Sequence, residues 1–343
     1  MTAEVLYVVP TYNRARDLPR TLHAIAAQDW DPDRMAILVV DGGSQDATQA
    51  VVEALAPALR CRIELLRKAN EGPAVSRNVG LARGLGRFVA VVDSDVALDP
   101  GWTRATVAAM QDDPGLAQVG GRLVFGHAPT ILNSYGGELG RGIGLAWDYA
   151  EGQHADDQRT PRDTLWINTS AVLFRPEPVL AAGAFDPAFM MAYEEPDLGL
   201  RLAIAGWRAR VVPDAVALHH VGPQSLHWDA EMVFHQVKNR IRLGLKSLGA
   251  LRLCGFVAVN LLYGLADAAL HRHRGARLRG MWWNLVNLPD TWRLRRKAQA
   301  MRRVPDRQAL APTGTAWLPP TRLRGRRRRT MPGMIAASAP DDR

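Results

Sequence analysis

Cysteine is nearly absent. Cys61 and Cys254 are the only two in 343 residues; they lie far apart without a metal-type spacing, so neither a disulfide framework nor a cysteine zinc site is expected. That scarcity fits a reducing, cytoplasmic compartment. A basic leader is missing too: the start, MTAEVLYVVPTYN, carries Glu4 and only about five apolar residues in a row, which reads as a first strand and not as a signal peptide. There is no internal repeat, and the single low-complexity run is RLRGRRRR at 322–329. A glycine phosphate loop is missing as well. GLARGLG (80–86) lacks the G-x-G-x-x-G spacing and precedes a strand, so Gly84 and Gly86 read as helix termination.

Apolar residues make up 47% of the chain and charged residues 22%, a globular composition long enough for a large core with an appendage. The charge is uneven. From Arg272 to Arg343 there are 18 Lys/Arg against 4 Asp/Glu, so of the net +9 this tail carries +14 and the first 271 residues carry −5. Basicity belongs to the tail.

The first half alternates apolar, β-branched runs with amphipathic ones. EVLYVVP (4–10), MAILVVD (35–41), RIELLR (62–67) and RFVAVVDSD (87–95) read as strands, and the segments between them as helices. Near-continuous apolar strands argue for a mostly parallel sheet flanked by helices, and ligands bind at the carboxyl ends of such strands. Beyond residue 115 the expected strands are QVGGRLVFG, LWINTSAVLFRP (165–176) and a pair within RARVVPDAVALHHVG (208–222), with a helix beginning near Pro196. The glycine-rich stretch between about 120 and 165 reads only as flexible.

Asp93 and Asp95 end one of these strands. At period-two spacing they point to one side, and two like charges so close repel unless a cation sits beside them. A hard divalent ion with positions open to phosphate oxygens suits such a pair; a strand-end turn capped by Ser94 and Asp95 is the bland alternative. Asp41, also at a strand end, and the PTYNR stretch (Pro10 to Arg14) fall at the same rim.

The stretches VVPTYNRARDLPRTL, ILVVDGGSQDAT, EGPAVSRNVGLARGLGRFVAVVDSDV, AGAFDPAFMMAYEEPDLGLRLAIAGW and VVPDAVALHHVG, in that order over about residues 4–225, resemble the family 2 glycosyltransferases of GT-A fold. The resemblance implies that Pro10, Thr11, Tyr12 and Arg14 line a nucleotide pocket, that Asp41 hydrogen-bonds the base, and that Arg77 lies near the donor. It implies that Asp93 takes the ribose or a metal-bound water, and that Asp95 ligates Mg²⁺ or Mn²⁺ bridging the diphosphate. His220 is then the metal or diphosphate contact, with His219 its buried neighbour. The family's general base falls at Glu195, where an aspartate is usual; Glu194 and Asp197 are rivals, and an acidic helix N-terminus explains one or two of the three without chemistry.

So read, the chain is a GT-A domain (1–228; nucleotide-sugar half about 1–115, acceptor half about 116–228) with a C-terminal helical, basic extension. The implied activity is inverting transfer of a hexosyl or deoxyhexosyl group from a nucleotide-diphosphate donor to a lipid-linked or polysaccharide acceptor in cell-envelope glycan synthesis. A nucleotidyltransferase remains an alternative, though it would want basic residues around a triphosphate and no base helix. A non-catalytic nucleotide-sugar-binding protein is another, to which Glu195 lends weight.

Residues 229–304 read as amphipathic and membrane-associating. Val233, Val237, Ile241, Leu245 and Leu248 form one stripe with Lys238, Arg240, Arg242 and Lys246 elsewhere, and Trp282, Trp283 and Trp292 stand among arginines. The run 253–270 is near spanning length but interrupted by Asn260 and Asp267. A peripheral site on the inner face of the plasma membrane follows, while a helix packed on the catalytic domain and a solvated basic tail are the competing readings. Residues 305–343 read as a disordered basic tail. Nucleic acid is disfavoured as a partner, because the arginine run lacks interleaved aromatics and the body is acidic.

Overall fold

A computed structural model describes residues 3–84, 86–221 and 229–319. The first half is strand–helix alternation: β1 (Ala3–Thr11), α1 (Leu18–Ala26), β2 (Met35–Asp41), α2 (Thr48–Leu55), β3 (Arg62–Arg67), α3 (Pro73–Ala82) and β4 (Gly86–Val92). β1 pairs in parallel with both β2 and β4, and β2 with β3. Period-two alternation sends Val5, Tyr7 and Val9 to one core, with α1 residues Leu18 and Leu22, and Leu6 and Val8 to another, with α3 residues Ala74 and Leu81. A sheet buried on both faces is why these strands read as continuous apolar runs.

After β4 come β5 (Val96–Leu98), α4 (Trp102–Asp112), β6 (Leu116–Phe125), β7 (Ala128–Ser134), β8 (Gly137–Leu139), β9 (Ala146–Asp148), β10 (Arg162–Thr164), β11 (Ala171–Phe174), α5 (Pro176–Ala181), α6 (Glu194–Ile204) and β12 (Arg208–His219). The main sheet runs β10-β12-β6-β11-β4-β1-β2-β3, with β5 on β12 and β7 on β6. β11 is antiparallel to both its neighbours, whereas β12 and β6 are parallel. The sheet is mixed and mostly parallel, as expected.

Three expectations change. The strand over 165–176 shrinks to Ala171–Phe174, because Asn168 accepts from the Ser170 amide at 3.0 Å and bends the chain. The strand pair at 208–222 is one strand, β12, with a bulge between Val211 and Val216. Pro213 supplies no N–H to the ladder there, and Arg122 Nε donates to its carbonyl at 2.7 Å. Gly222 lies outside the described residues. The glycine-rich stretch thought flexible is packed: Tyr135, Leu139 and Ile143 are buried in it.

The extension is helical: α7 (Ala230–Ser247), α8 (Ala250–Leu270), α9 (Arg274–Val286), α10 (Leu288–Ala300) and the single turn α11 (Asp306–Ala309). On α7 the basic face is not turned to solvent. Lys238, Arg240, Arg242 and Lys246 are all buried, because partners await them there: the Ala188 carbonyl, the Tyr263 ring, and the buried Asp186 and Asp197. Residues 306–319, expected as the start of a disordered tail, are also packed. Leu310 and Thr313 are buried, and Arg141 donates to the carbonyls of Ala316 and Gly314. The remaining tail, 320–343, lies outside the described residues.

Candidate functional site

Because β1, β2 and β4 are parallel, their carboxyl ends meet at one rim. The turn after β1 is tied to the turn after β2: Ser44 Oγ accepts from the Asn13 amide at 2.8 Å, and Asn13 Oδ1 from the Gln45 amide at 2.8 Å. Asn13 is left-handed, with φ 52°, a conformation asparagine tolerates better than most residues. Tyr12 beside it is exposed. Asp41 is buried; its Oδ1 accepts from the Ser44 amide at 3.0 Å and hydroxyl at 2.5 Å. Among the described residues its Oδ2 finds no hydrogen bond, with Arg67 Nε at 3.6 Å, and the buried Thr11 hydroxyl finds no partner either. Buried polar atoms left without partners mark places a ligand can fill.

Asp93 is gripped from two sides. Arg77 Nη2 of α3 donates to Oδ1 at 3.1 Å and Ser170 Oγ to Oδ2 at 3.3 Å. The other end of Arg77 faces Glu194, with Nη1 3.8 Å from Oε1. Asp95 lies at the centre of the rim, with Arg14 Nη2 at 3.9 Å and His219 Nε2 at 3.5 Å. Burial alone would raise its pKa, but His219 and Arg14 more than offset this and hold the carboxyl below the ordinary carboxylate range.

The histidine beside Asp95 is therefore His219 and not His220. Successive strand residues point to opposite faces, and at the end of β12 the one aimed at the rim is the first. His220 meets Asp95 through its backbone amide, 2.9 Å from the Asp95 carbonyl, and its ring lies over Gly126. His219 Nδ1 is 2.8 Å from Asn133 Oδ1 on β7. In the tautomer that donates that N–H to Asn133, Nε2 carries a lone pair in place of the proton that hydrogen-bonds Asp95. Two acceptors facing each other fit a cation between them, with the histidine oriented by its outer hydrogen bond. Among the described residues no cluster of three ligand-type side chains forms a cage. A divalent ion here would draw its other ligands from phosphate oxygens and water, the usual habit of Mg²⁺.

The three carboxylates of YEEPDL separate. Asp197 points away from the rim into a buried ion network, bonded to Arg201 at 2.7 Å and to Lys246 Nζ at 2.8 Å. That removes it from the candidate bases. Glu194 is buried behind Arg77. Its pKa is pushed well above the carboxylate range, by burial first and then by Glu195, with Arg77 opposing. Glu195 is half-exposed at the head of α6, and Thr169 Oγ1 donates to its Oε1 at 2.6 Å.

Sequence reasoning missed Thr169, Ser170, Asn168 and Asp148. The first three form the polar patch NTS just before β11, whose antiparallel direction brings its amino end to the rim. That patch was the available signal. Asp148 ends β9, accepts from Asn168 Nδ2 at 3.4 Å, and is raised to about 6 by burial, against hydrogen bonds from Ser134 and Asn168 and with Glu195 adding to the shift.

Comparison with known proteins bears on the fold that carries this site. Residues 7–159 match the profile described as Glycosyl transferase family 2. The chain is 29% identical over 235 residues to the pre-mycofactocin glycosyltransferase of Mycobacterium tuberculosis, covering 68% of this chain and 46% of that protein. It is 27% identical over 239 residues to the N-acetylglucosaminyl-diphospho-decaprenol L-rhamnosyltransferase of the same species, covering 64% and 77%. The chain thus spans less than half of the first relative's length. Among solved structures, a mannosyltransferase from Pyrobaculum calidifontis in complex with GDP-Man and Mn²⁺ superposes with a TM-score of 0.54 at 18% identity, over 88% of this chain and 86% of that one. A rim of strand ends carrying paired aspartates and a β-sheet of this order accompany that match: residues 7–159 fit the glycosyl transferase family 2 profile, and the architecture as a whole is similar to that of the solved glycosyltransferase, the GT-A fold.

Proposed function

We propose that the protein is an inverting glycosyltransferase that moves a sugar from a nucleotide-diphosphate donor to a lipid-linked or polysaccharide acceptor in cell-envelope glycan synthesis. The observation that carries this reading is the meeting, on one rim, of Asp95 with His219, Asp93 with Arg77, and Glu195 with Thr169. Thr11, Tyr12 and Arg14 border the nucleotide, the free Asp41 Oδ2 accepts from the base, and Asp93 takes the ribose. Asp95 and His219 would hold Mg²⁺ or Mn²⁺, which when bound neutralises charge on the departing diphosphate. Arg77 holds the Asp93 carboxylate in place and adds positive charge beneath the donor. Glu195, steered by Thr169, takes the proton from the acceptor hydroxyl as it attacks the anomeric carbon. One displacement inverts the configuration.

A nucleotidyltransferase is less well supported, since the rim is mainly acidic and Glu195 heads a helix beside it. A binding role is countered by the hydrogen bond that orients the glutamate standing in for aspartate. The acceptor is proposed to lie at a membrane. α8–α10 expose Leu261, Leu262, Leu265, Trp282, Leu285, Val286 and Trp292, bordered by the exposed Arg274, Arg293, Arg296 and Lys297, a pattern suited to the cytoplasmic interface of an anionic bilayer. α8 is long and apolar enough to span. Its Phe256, Asn260, Gly264 and Asp267 nonetheless face protein, with Asn260 Nδ2 donating to the Ile143 carbonyl at 3.1 Å and Asp267 paired with Arg277. This favours a helix lying on the surface.

The test is a thermal-shift panel of nucleoside diphosphates and nucleotide sugars with Mg²⁺ or Mn²⁺, followed by donor turnover. A donor at 100 times its Kd stabilises by about 2.7 kcal/mol. Asp95→Ala is expected to abolish metal-dependent turnover. Pyrophosphate release would favour the nucleotidyltransferase, and binding without transfer or hydrolysis a binding role.

A further inference from the structure

The turn that delivers Glu194 and Glu195 is strained. Ala192 and Tyr193, the two residues before α6, have φ of 63° and 68°. Left-handed backbone costs a non-glycine residue of order 1 kcal/mol, and two in succession persist only when the surroundings hold them. Part of the hold is local: the Tyr193 hydroxyl is 3.2 Å from both the Gly144 carbonyl and the Ala146 amide. A further part comes from one face of α7. Asn239, fully buried, donates both hydrogens of its amide, to the Met191 and Ala192 carbonyls, each at 2.8 Å. Lys238 Nζ donates to the Ala188 carbonyl at 2.7 Å, Arg242 Nε to Asp186 Oδ2 at 3.0 Å, and Lys246 Nζ to Asp186 at 2.8 Å and to Asp197 of α6 itself. Positions 238, 239, 242 and 246 recur at helical spacing, so one stripe grips the turn and the helix it starts.

We propose that Asn239 is a positioning residue for sugar transfer: it clamps the left-handed Ala192–Tyr193 turn from the extension and so sets where the Glu195 carboxylate stands. The proposal rests on the reading of Glu195 as base. It makes α7 part of the catalytic assembly, acting through the turn it holds. α7 is itself pinned from outside. Asn284 of α9 donates to the Lys238 carbonyl at 3.0 Å, and Gly280 packs so closely that a Cβ there would meet the Phe234 carbonyl and Val237 Cβ at 3.0 Å. Misplacing a base by a fraction of an ångström lowers the chemical step without loosening a donor site built on β1, β2 and β4.

The experiment compares wild type with Asn239→Ala and with Asn239→Leu, which keeps the volume but cannot donate, each alone and combined with Ala192→Gly. Glycine adopts the left-handed turn unaided. Expected are a fall in kcat of about tenfold or more for both single variants, a donor KM and a nucleoside diphosphate affinity within about twofold of wild type, and recovery of several-fold in kcat on adding Ala192→Gly. Amide hydrogen exchange over 186–197 should quicken in the single variants and slow again in the doubles. Unchanged kcat in the folded leucine variant overturns the proposal. So does joint loss of kcat and donor affinity that Ala192→Gly leaves unrepaired, which marks a purely structural residue. If wild type transfers nothing from any nucleotide sugar, the reading of the function has failed, while the hydrogen-exchange comparison still decides whether Asn239 holds the turn.

Discussion

At the scale of single residues the two adjacent glutamates are set apart by surroundings. Glu194 is buried against Arg77, and burial with the neighbouring Glu195 raises its pKa above the ordinary carboxylate range, so Glu194→Gln is the milder of the two amide substitutions. Transfer by that variant at pH 7 is expected within several-fold of wild type. Glu195→Gln, by contrast, keeps an oxygen that can accept the Thr169 hydrogen bond but removes the proposed base; general-base loss typically costs about 10²–10⁴ in kcat. Initial rates of both variants at saturating donor check the pair, and the reverse ranking would move the base to Glu194. The placement of Asp93, Asp95 and Glu195 about one rim was legible in the sequence, because carboxylates at the end of an apolar strand or the head of a helix have few bland explanations together. The sequence misdirected at His219 and His220: adjacent strand residues point oppositely, and which one faces the rim depends on a register with β6 that only the fold supplies. Asp197 was indistinguishable from its neighbours until Lys246, 49 positions away, was brought to it.

At the scale of elements, α7 reads in sequence as an amphipathic surface helix and is instead a buried one. Its apolar stripe is genuine, but its cations meet Asp186 and Asp197, and no local pattern announces partners so distant. Breaking a buried pair by deleting one partner costs about 3–5 kcal/mol; Lys246→Met should fall near the low end, since Arg201 and Arg242 still face the two aspartates. Denaturant titration measures this. The network also fixes a direction for pH. Burial would raise Asp186, but Lys246 and Arg242 overcome it and hold the carboxyl far below its ordinary range. A carboxylate depressed in the folded state contributes its full stability above the unfolded pKa, about 4, and that contribution is lost as pH falls. Stability of wild type should therefore drop below about pH 4 more steeply than that of Asp186→Asn, in acid titrations followed by circular dichroism.

At the scale of the whole molecule, most of the exposed large apolar side chains gather on α8–α10, whereas the β-sheet domain exposes Tyr12, Leu180, Met190 and Met191 among its described residues. Proteins rarely leave so many large apolar groups together on a surface facing only water. Binding to vesicles containing anionic lipid is expected, weakening with salt as screening shortens the reach of Arg293 and Arg296. Trp282→Ala with Trp292→Ala should reduce it at least tenfold in co-sedimentation while leaving donor affinity unchanged. Equal binding by neutral and anionic vesicles at every salt concentration would contradict the electrostatic share. The ion network between α6 and α7 bears on how chains of this fold can be recombined. A chimera that joins this domain to another protein's C-terminal helices exchanges Lys246, Arg242 and Asn239 for strangers, yet keeps Asp186, Asp197 and the left-handed turn made for them. Workable crossovers fall before Asp186 or after Ser247, so that lock and key are inherited together.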